Sequence, residues 1–322
     1  MLDATGLISF PHRHCPHCLV RRCGKKTVYY HHVLEAKLLG PAGIVISLDT
    51  EFIENADVVE AEGRSAEDVK QDCELKAASR MLPRIKEAYP QLRFVVAADN
   101  LYCCGRAFAL VKELGWGLVV TFKEGRTPAL WQEYQALLKE RPKEVLRRQW
   151  GDGRQEEFRW VRQMDYEDSE GREFTLNGLE CRERRGKEEQ YFAWVSTLPV
   201  GIKTVEEIAR KGGRYRWKIE NEGFNRQKNS GLNLEHVYSS DPEKWKAYYL
   251  LLQIAFMLTQ LLERGSLLKR LAEETGKKVW ELFGSLKNLA RRLLESVRYE
   301  EWEEGWFGEA EGGRVRISFD TS

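Results

Sequence analysis

Polar and apolar positions alternate along residues 1–10 (MLDATGLISF), with Asp3 and Thr5 on one face and Leu2 on the other, which predicts an opening strand. Residues 27–39 (TVYYHHVLEAKLL) are rich in β-branched and aromatic side chains, and residues 43–52 (GIVISLDTEF) are more apolar still. The Gly-Pro-Ala-Gly turn at 40–43 joins them as a hairpin. The period then changes. Over 65–89, Val69, Cys73, Ala77, Leu82 and Ile85 are spaced as on one helical face, with Pro90 past the end. Residues 92–98 (LRFVVAA) and 117–122 (GLVVTF) read as short buried strands on either side of a helix over 105–114. The first of these strands delivers Asp99-Asn-Leu-Tyr102 at its C-terminal end.

Beyond residue 124 the chain is more charged and punctuated by glycine. Residues 128–146 predict a polar helix, and 149–162, 173–182 and 190–198 predict strands of a small antiparallel sheet. The stretch RYRWKIENEGFNRQK at 214–228 lies between Gly212-Gly213 and Ser230-Gly231, which read as helix start and stop signals. On that helix Arg216, Glu220, Phe224 and Lys228 fall on or near one face, so an Arg216–Glu220 surface pair would suffice to explain them. Residues 241–264 and 277–298 predict strong helices and 314–319 a final strand. This order predicts an α/β protein, a mixed sheet with an antiparallel hairpin edge flanked by helices. Its divisions are 1–124 and 206–265 for two parts of one core, 125–205 for a β-rich insertion, and 266–322 for a C-terminal helical region.

Composition narrows the class. The 322 residues are 42% hydrophobic and 31% charged, ordinary for a globular chain large enough to bury a sizeable core. The longest apolar run, 248–258, is interrupted by Gln253 and follows Lys244 and Lys246, so it reads as a buried helix and not as a membrane span. Residues 1–5 carry an early acid and no basic stretch, so no signal peptide is expected. Seven cysteines, an odd number, point to a reducing cytoplasm. The net charge is +1, yet residues 203–228 hold eight Lys/Arg against four Glu, a local basic patch suited to a polyanion.

Two groups of residues carry candidate chemistry. Cys15-x-x-Cys18, with Cys23 and His31, has the spacing of half a zinc knuckle. His12, His14, His17 and His32 compete for the remaining positions, and reduced surface thiols with scattered imidazoles are the alternative reading, favoured over zinc. The second group is Asp3, Asp99 and Glu220. Two strand-end aspartates on neighbouring strands, with a glutamate brought in by a helix, repel one another unless cations neutralise them, which suits Mg²⁺. Asp49, on a better-buried strand, is a rival first carboxylate, but the hairpin places it about two strands from Asp99. Lys70 to Glu74 read as an exposed charged face of the first long helix.

Leu2-Asp-Ala-Thr-Gly6, Ala98-Asp-Asn-Leu-Tyr102 and Arg216-Trp-Lys-Ile-Glu-Asn-Glu222 resemble the three signature segments of DDE transposases of bacterial insertion sequences. The third is similar to the Tyr-Arg-Glu-Lys signature of one group, in which a β-rich insertion precedes the glutamate. The signature's Tyr falls at Gly213, with Tyr215 two residues on, and its Lys at Gln227, with Lys228 one further; the Arg216–Glu220 spacing fits. The resemblance implies an RNase H-like fold, with Asp3, Asp99 and Glu220 holding two Mg²⁺ or Mn²⁺ ions. It implies DNA as partner, at the element's terminal inverted repeats and at the target, bound by a homodimer in the cytoplasm, with Arg214, Arg216, Asn221 and Lys228 on phosphate. Trp217, Tyr215 or Trp194 would stack on a displaced base, unless they are core or rim aromatics. With two residues before Asp3, the family's N-terminal DNA-binding domain is expected to be missing. A catalytically silent DNA-binding remnant and a related RNase H-like nuclease are the alternatives.

Overall fold

The opening alternation becomes β1 (Leu2–Phe10), which pairs antiparallel with β3 (Lys26–Leu39) from Leu2↔Ala36 to Phe10↔Tyr29. Along its other edge β3 carries first β2 (Leu19–Cys23) and then β4 (Val45–Ile53), both antiparallel. The structure, a computed structural model, describes residues 1–40, 43–55, 72–236, 238–239 and 241–299. The strand expected at 314–319 and the first seven residues of the helix expected over 65–89 lie outside these. The described part of that helix is α1 (Glu74–Ala88).

Burial explains why β3 loses its alternation from Val33 to Lys37, where every residue is buried. Leu34 and Ala36 pack with Ala77, Met81 and Leu82 of α1, while Val33 packs with Phe224, Trp245 and Tyr249 on the opposite face. A strand covered on both faces reads as a continuous apolar run. The two charged members of that run pair with each other, Lys37 Nζ lying 3.3 Å from Glu35 Oε2.

A second sheet holds β5 (Val95–Ala98) and β6 (Gly117–Thr121) in parallel, joined through α2 (Gly105–Leu114). It continues antiparallel through β10 (Glu188–Ser196), β9 (Glu173–Arg185) and β8 (Gln155–Glu167) to β7 (Val145–Gln149). The expected α/β class holds, but the charged region is no separate small sheet: β10 pairs with β6 at Trp194↔Thr121. Ala193 and Val195 face one core while Trp194 faces another, so β10 is buried on both sides. The helix expected over 128–146 ends early, as α3 (Pro128–Glu140). Pro142 explains the stop, since it disfavours helical geometry at Arg141, and residues 145–149 turn into β7.

The expected pairing of the first strand with the strand that ends at Ala98 takes a looser form. β1 and β5 are the edges of two sheets and lie against each other without a shared hydrogen-bond ladder. Beyond the sheets come α6 (Pro242–Arg264), α7 (Ser266–Thr275), α8 (Val279–Phe283) and α9 (Leu286–Tyr299). Gly284, at φ +72°, breaks the helix expected over 277–298.

The helix expected at 214–228 also differs. It begins earlier, as α4 (Val205–Glu207), and runs without a break to α5 (Asn225–Asn229). Between them lie π-helical turns at Ile208–Gly213 and Ile219–Phe224 and a 3₁₀ turn at Arg214–Arg216. Gly212 and Gly213 are inside this helix and do not punctuate it. A Cβ on Gly212 would meet Val119 at 2.9 Å, and one on Gly213 would meet Trp194 at 2.3 Å. Close packing on β6 and β10 is what requires glycine there.

Candidate active site

The seam between β1 and β5 gathers carboxylates from four distant parts of the chain. Asp99 directly follows β5 and caps the turn Asn100–Tyr102, its Oδ1 accepting from Leu101 N at 2.8 Å. Asp3 sits on β1, its Oδ1 accepting from Ala4 N at 3.1 Å and its Oδ2 lying 3.5 Å from Arg216 Nη1. Burial pushes Asp3 up to about 6; Arg216 opposes the rise, and the charges of Asp99 and Glu220 add to it. Glu220 is the exposed member, carried by the second π-helical turn with buried Ile219 beside it.

The fourth carboxylate has no motif to mark it. Glu74 opens α1 half-buried, and burial followed by the charges of Asp99 and Asp3 raises it to about 7. The expected exposed charged face therefore does not describe Glu74. An acid in a first helical turn ordinarily reads as a dipole partner, so its pattern gives no other signal. Tyr102 is buried beneath the group, its hydroxyl has no hydrogen-bond partner, and burial with the charges of Glu74, Asp99 and Asp3 pushes it far up. Asp3 and Glu74 are thus both raised by burial and by neighbouring acids, with Arg216 as the cation paired across the seam. Among the described residues the ligand atoms of these acids are not drawn together as those of Cys15, Cys18 and His31 are. A hard divalent cation would therefore require Asp3, Asp99, Glu220 and Glu74 to close in on it.

Asp49 stands apart from this group. It lies on β4, with β3 and β1 between it and β5, and Arg84 pairs with it at 3.0 Å. Among the residues expected to hold phosphate, Arg216 faces the carboxylates and pairs with Asp3 across the seam. Arg214 turns to the β-rich region instead, pairing with Glu183 and, at 3.5 Å, with Glu156, and stacking over Phe192. Asn221 is exposed and accepts from Asn225 at 3.4 Å. Lys228 Nζ lies 2.7 Å from Glu235, while its neighbour Gln227 is buried and donates to Gln253 at 2.7 Å. Of the two positions, Lys228 is therefore the one open to a ligand.

A cavity of about 780 Å³ adjoins this site, lined by Trp131, Tyr191, Phe192, Arg214, Arg216 and Trp217. Trp217 is 56% exposed and free to stack, and Tyr215 is also exposed, whereas Trp194 is core, packed under Gly213.

The Cys/His cluster forms in part. Cys15 Sγ and Cys18 Sγ are 3.6 Å apart, and each is 3.4 Å from His31 Nε2, so the three could bind a metal. Burial, with Cys18 beside it, raises Cys15 to about 11, and burial lowers His31 to about 4. Cys23 does not join them. It is exposed at the β2–β3 turn opposite Lys26, far along β3 from His31.

No protein-family model matches the chain, and no curated protein matches it. Among the described residues, no helix is long and apolar enough to cross a membrane.

Proposed function

We propose that this chain is an insertion-sequence DNA transposase, carrying out metal-dependent phosphodiester cleavage and strand transfer. One observation carries the reading: the charges of Asp99 and Glu220, remote in sequence, both act on Asp3 at the seam, with Arg216 across it. The carboxylates suit Mg²⁺ or Mn²⁺, and the thiolate–imidazole group suits Zn²⁺. When bound, a pair of Mg²⁺ ions supplies Lewis acidity at the attacking and leaving oxygens.

The chain's own residues do the rest. Arg216 reaches a phosphate oxygen beside the carboxylates, exchanging its contact with Asp3 for one with DNA. Lys228 and Asn221 hold backbone phosphate further along the same helical segment. Trp217, at the mouth of the neighbouring cavity, offers a stacking surface to an unpaired base, a contact worth about 1–3 kcal/mol. The partners are DNA ends and target DNA, with two copies of the chain pairing the ends in the cytoplasm.

The test is a Mg²⁺-dependent cleavage assay on DNA carrying the flanking inverted repeats. The parent protein should cut, while Asp99→Ala and Glu220→Ala should lose cleavage and keep DNA binding nearly intact. Full cleavage by both variants ends the assignment. DNA binding without cleavage by the parent would instead favour a catalytically silent remnant.

A further inference from the structure

The loop between β1 and β2 holds a site that phosphodiester chemistry does not use. Cys15 is 9% exposed, Cys18 and His31 are fully buried, and their ligand atoms form a triangle with edges of 3.6, 3.4 and 3.4 Å. A tetrahedral zinc with Zn–S near 2.3 Å and Zn–N near 2.0–2.1 Å would separate sulfur from sulfur by about 3.8 Å and sulfur from nitrogen by about 3.5 Å. The triangle therefore already has the size of one face of that tetrahedron.

The surroundings point the same way. His31 turns Nε2 to the two sulfurs, and its Nδ1 lies 4.0 Å from Glu54 Oε1. Both Nδ1 and that carboxylate oxygen are buried without a hydrogen-bond partner. A carboxylate behind the outer nitrogen of an imidazole is the arrangement that fixes a metal-bound histidine in the Nε2-ligating tautomer. Trp245 packs on the His31 ring at 5.0 Å, and Lys246 holds the other Glu54 oxygen at 2.7 Å, so α6 closes the site from outside.

We propose that Cys15, Cys18 and His31 hold a structural zinc ion, with Glu54 as the positioning carboxylate behind His31. His14 and His17, on the same loop, are close enough for their charge to act on His31, though His17 Nδ1 is engaged with Asn55 O at 3.1 Å. The ion fastens the loop to β3, and the loop is joined to the end of β4: Asn55 N donates to His17 O at 3.1 Å and Asn55 Nδ2 to Cys18 O at 3.0 Å. Asn55 Oδ1 in turn accepts from Asp72 N at 3.1 Å, two residues before Glu74. Zinc thereby steadies the segment from which α1 presents Glu74 to the carboxylate seam. The site stands on its own geometry and does not depend on the transposase reading.

Metal analysis of the purified full chain should find about one zinc per chain. Cobalt loaded in its place should show intense tetrahedral d–d bands with a sulfur-to-cobalt charge-transfer band, a readout on the unaltered protein that needs no variant to fold. Cys15→Ser, Cys18→Ser and His31→Ala should each lose most of the metal, and Cys23→Ser should keep it. Glu54→Gln should weaken zinc by about 10–100-fold in competition with a chromophoric chelator. Less than roughly a tenth of an equivalent of zinc together with a weak octahedral cobalt spectrum would overturn the site. So would Cys15→Ser and Cys18→Ser proteins that retain full metal. Neither outcome depends on whether DNA is cut.

Discussion

Asp3 and Glu74 each make the stability of the metal-free protein depend on pH. Both carboxyls are raised, to about 6 and about 7, by burial first and by neighbouring acids second. A carboxylate whose folded pKa lies above its unfolded value holds its proton more tightly when folded. These two groups then carry more bound protons in the folded than in the unfolded chain between roughly pH 4 and 7, and their contribution to stability falls as pH rises through that window. It does so against the opposite contributions of His31, lowered to about 4, and of the Met1 amino group, lowered to about 5. In EDTA, Glu74→Gln should flatten this fall and gain on the order of 1–2 kcal/mol at pH 8, read by thermal denaturation across pH. An unchanged slope would mean that ionising Glu74 costs nothing. Mg²⁺ should restore more stability at pH 8 than at pH 5, because only the ionised group attracts it. Asp99 is legible from sequence, since a short buried strand ending in an acid exposes that acid at a sheet edge. Glu74 is not, because its partners are 71 residues before it in the chain and 25 after.

Among the elements, the helical segment over 205–229 departs most from its periodic pattern. Each extra residue in a wide turn rotates the remainder of the helix by about 100°, so a face drawn with regular spacing is not the face that forms. Arg216 accordingly meets Asp3 across the seam in place of an i,i+4 surface contact with Glu220. The close approach at Gly213 sets where this happens. Gly213→Ala would drive a methyl group into the Trp194 ring and should cost about 1–3 kcal/mol, lowering the urea midpoint without changing the slope. Gly212→Ala, at 2.9 Å from a Val119 methyl, should cost less. Parent-like stability for Gly213→Ala would show that the segment slides freely over β10. Read locally, these two glycines mark a helix boundary; packing overrides that inference.

Across the whole molecule, two sheets meet edge to edge and α6 spans the back of the first. Beside the apolar packing of Val33 on Trp245 and Tyr249, that sheet and α6 are joined by buried polar contacts. Lys37, buried on β3, donates to Gln253 of α6 at 2.8 Å, and Glu35 accepts from Tyr249 at 3.0 Å and from Thr50 at 2.5 Å. Removing one charge leaves the other buried and unpaired. Lys37→Ala should therefore cost about 3–5 kcal/mol in chemical denaturation, and Glu35→Leu with Lys37→Met should recover part of the loss. A cost for Lys37→Ala below about 1 kcal/mol would show that water reaches Glu35. The candidate site draws on residues 3, 74, 99, 216 and 220, so it exists only once both sheets and the 205–229 segment have docked. Cleavage should accordingly be lost with global unfolding and not before it.

Local pattern settled the elements whose neighbours are close in sequence: the β3–β4 hairpin, β5 and β6 around α2, and the long α6. It also set Asp99 at the end of a short apolar strand, whereas Asp3 and Glu220 stand out only through the resemblance to transposase signature segments. Tertiary structure decided the rest. It joined β10 to β6, making one sheet of what read as an insertion, since strand pairing over such distances leaves no periodic trace. It removed Cys23 from the metal group by placing it at a turn, and added Glu54 and Glu74 from segments with no motif of their own. Periodicity records which side of an element is buried; which buried sides meet is decided only when the whole chain has closed on itself.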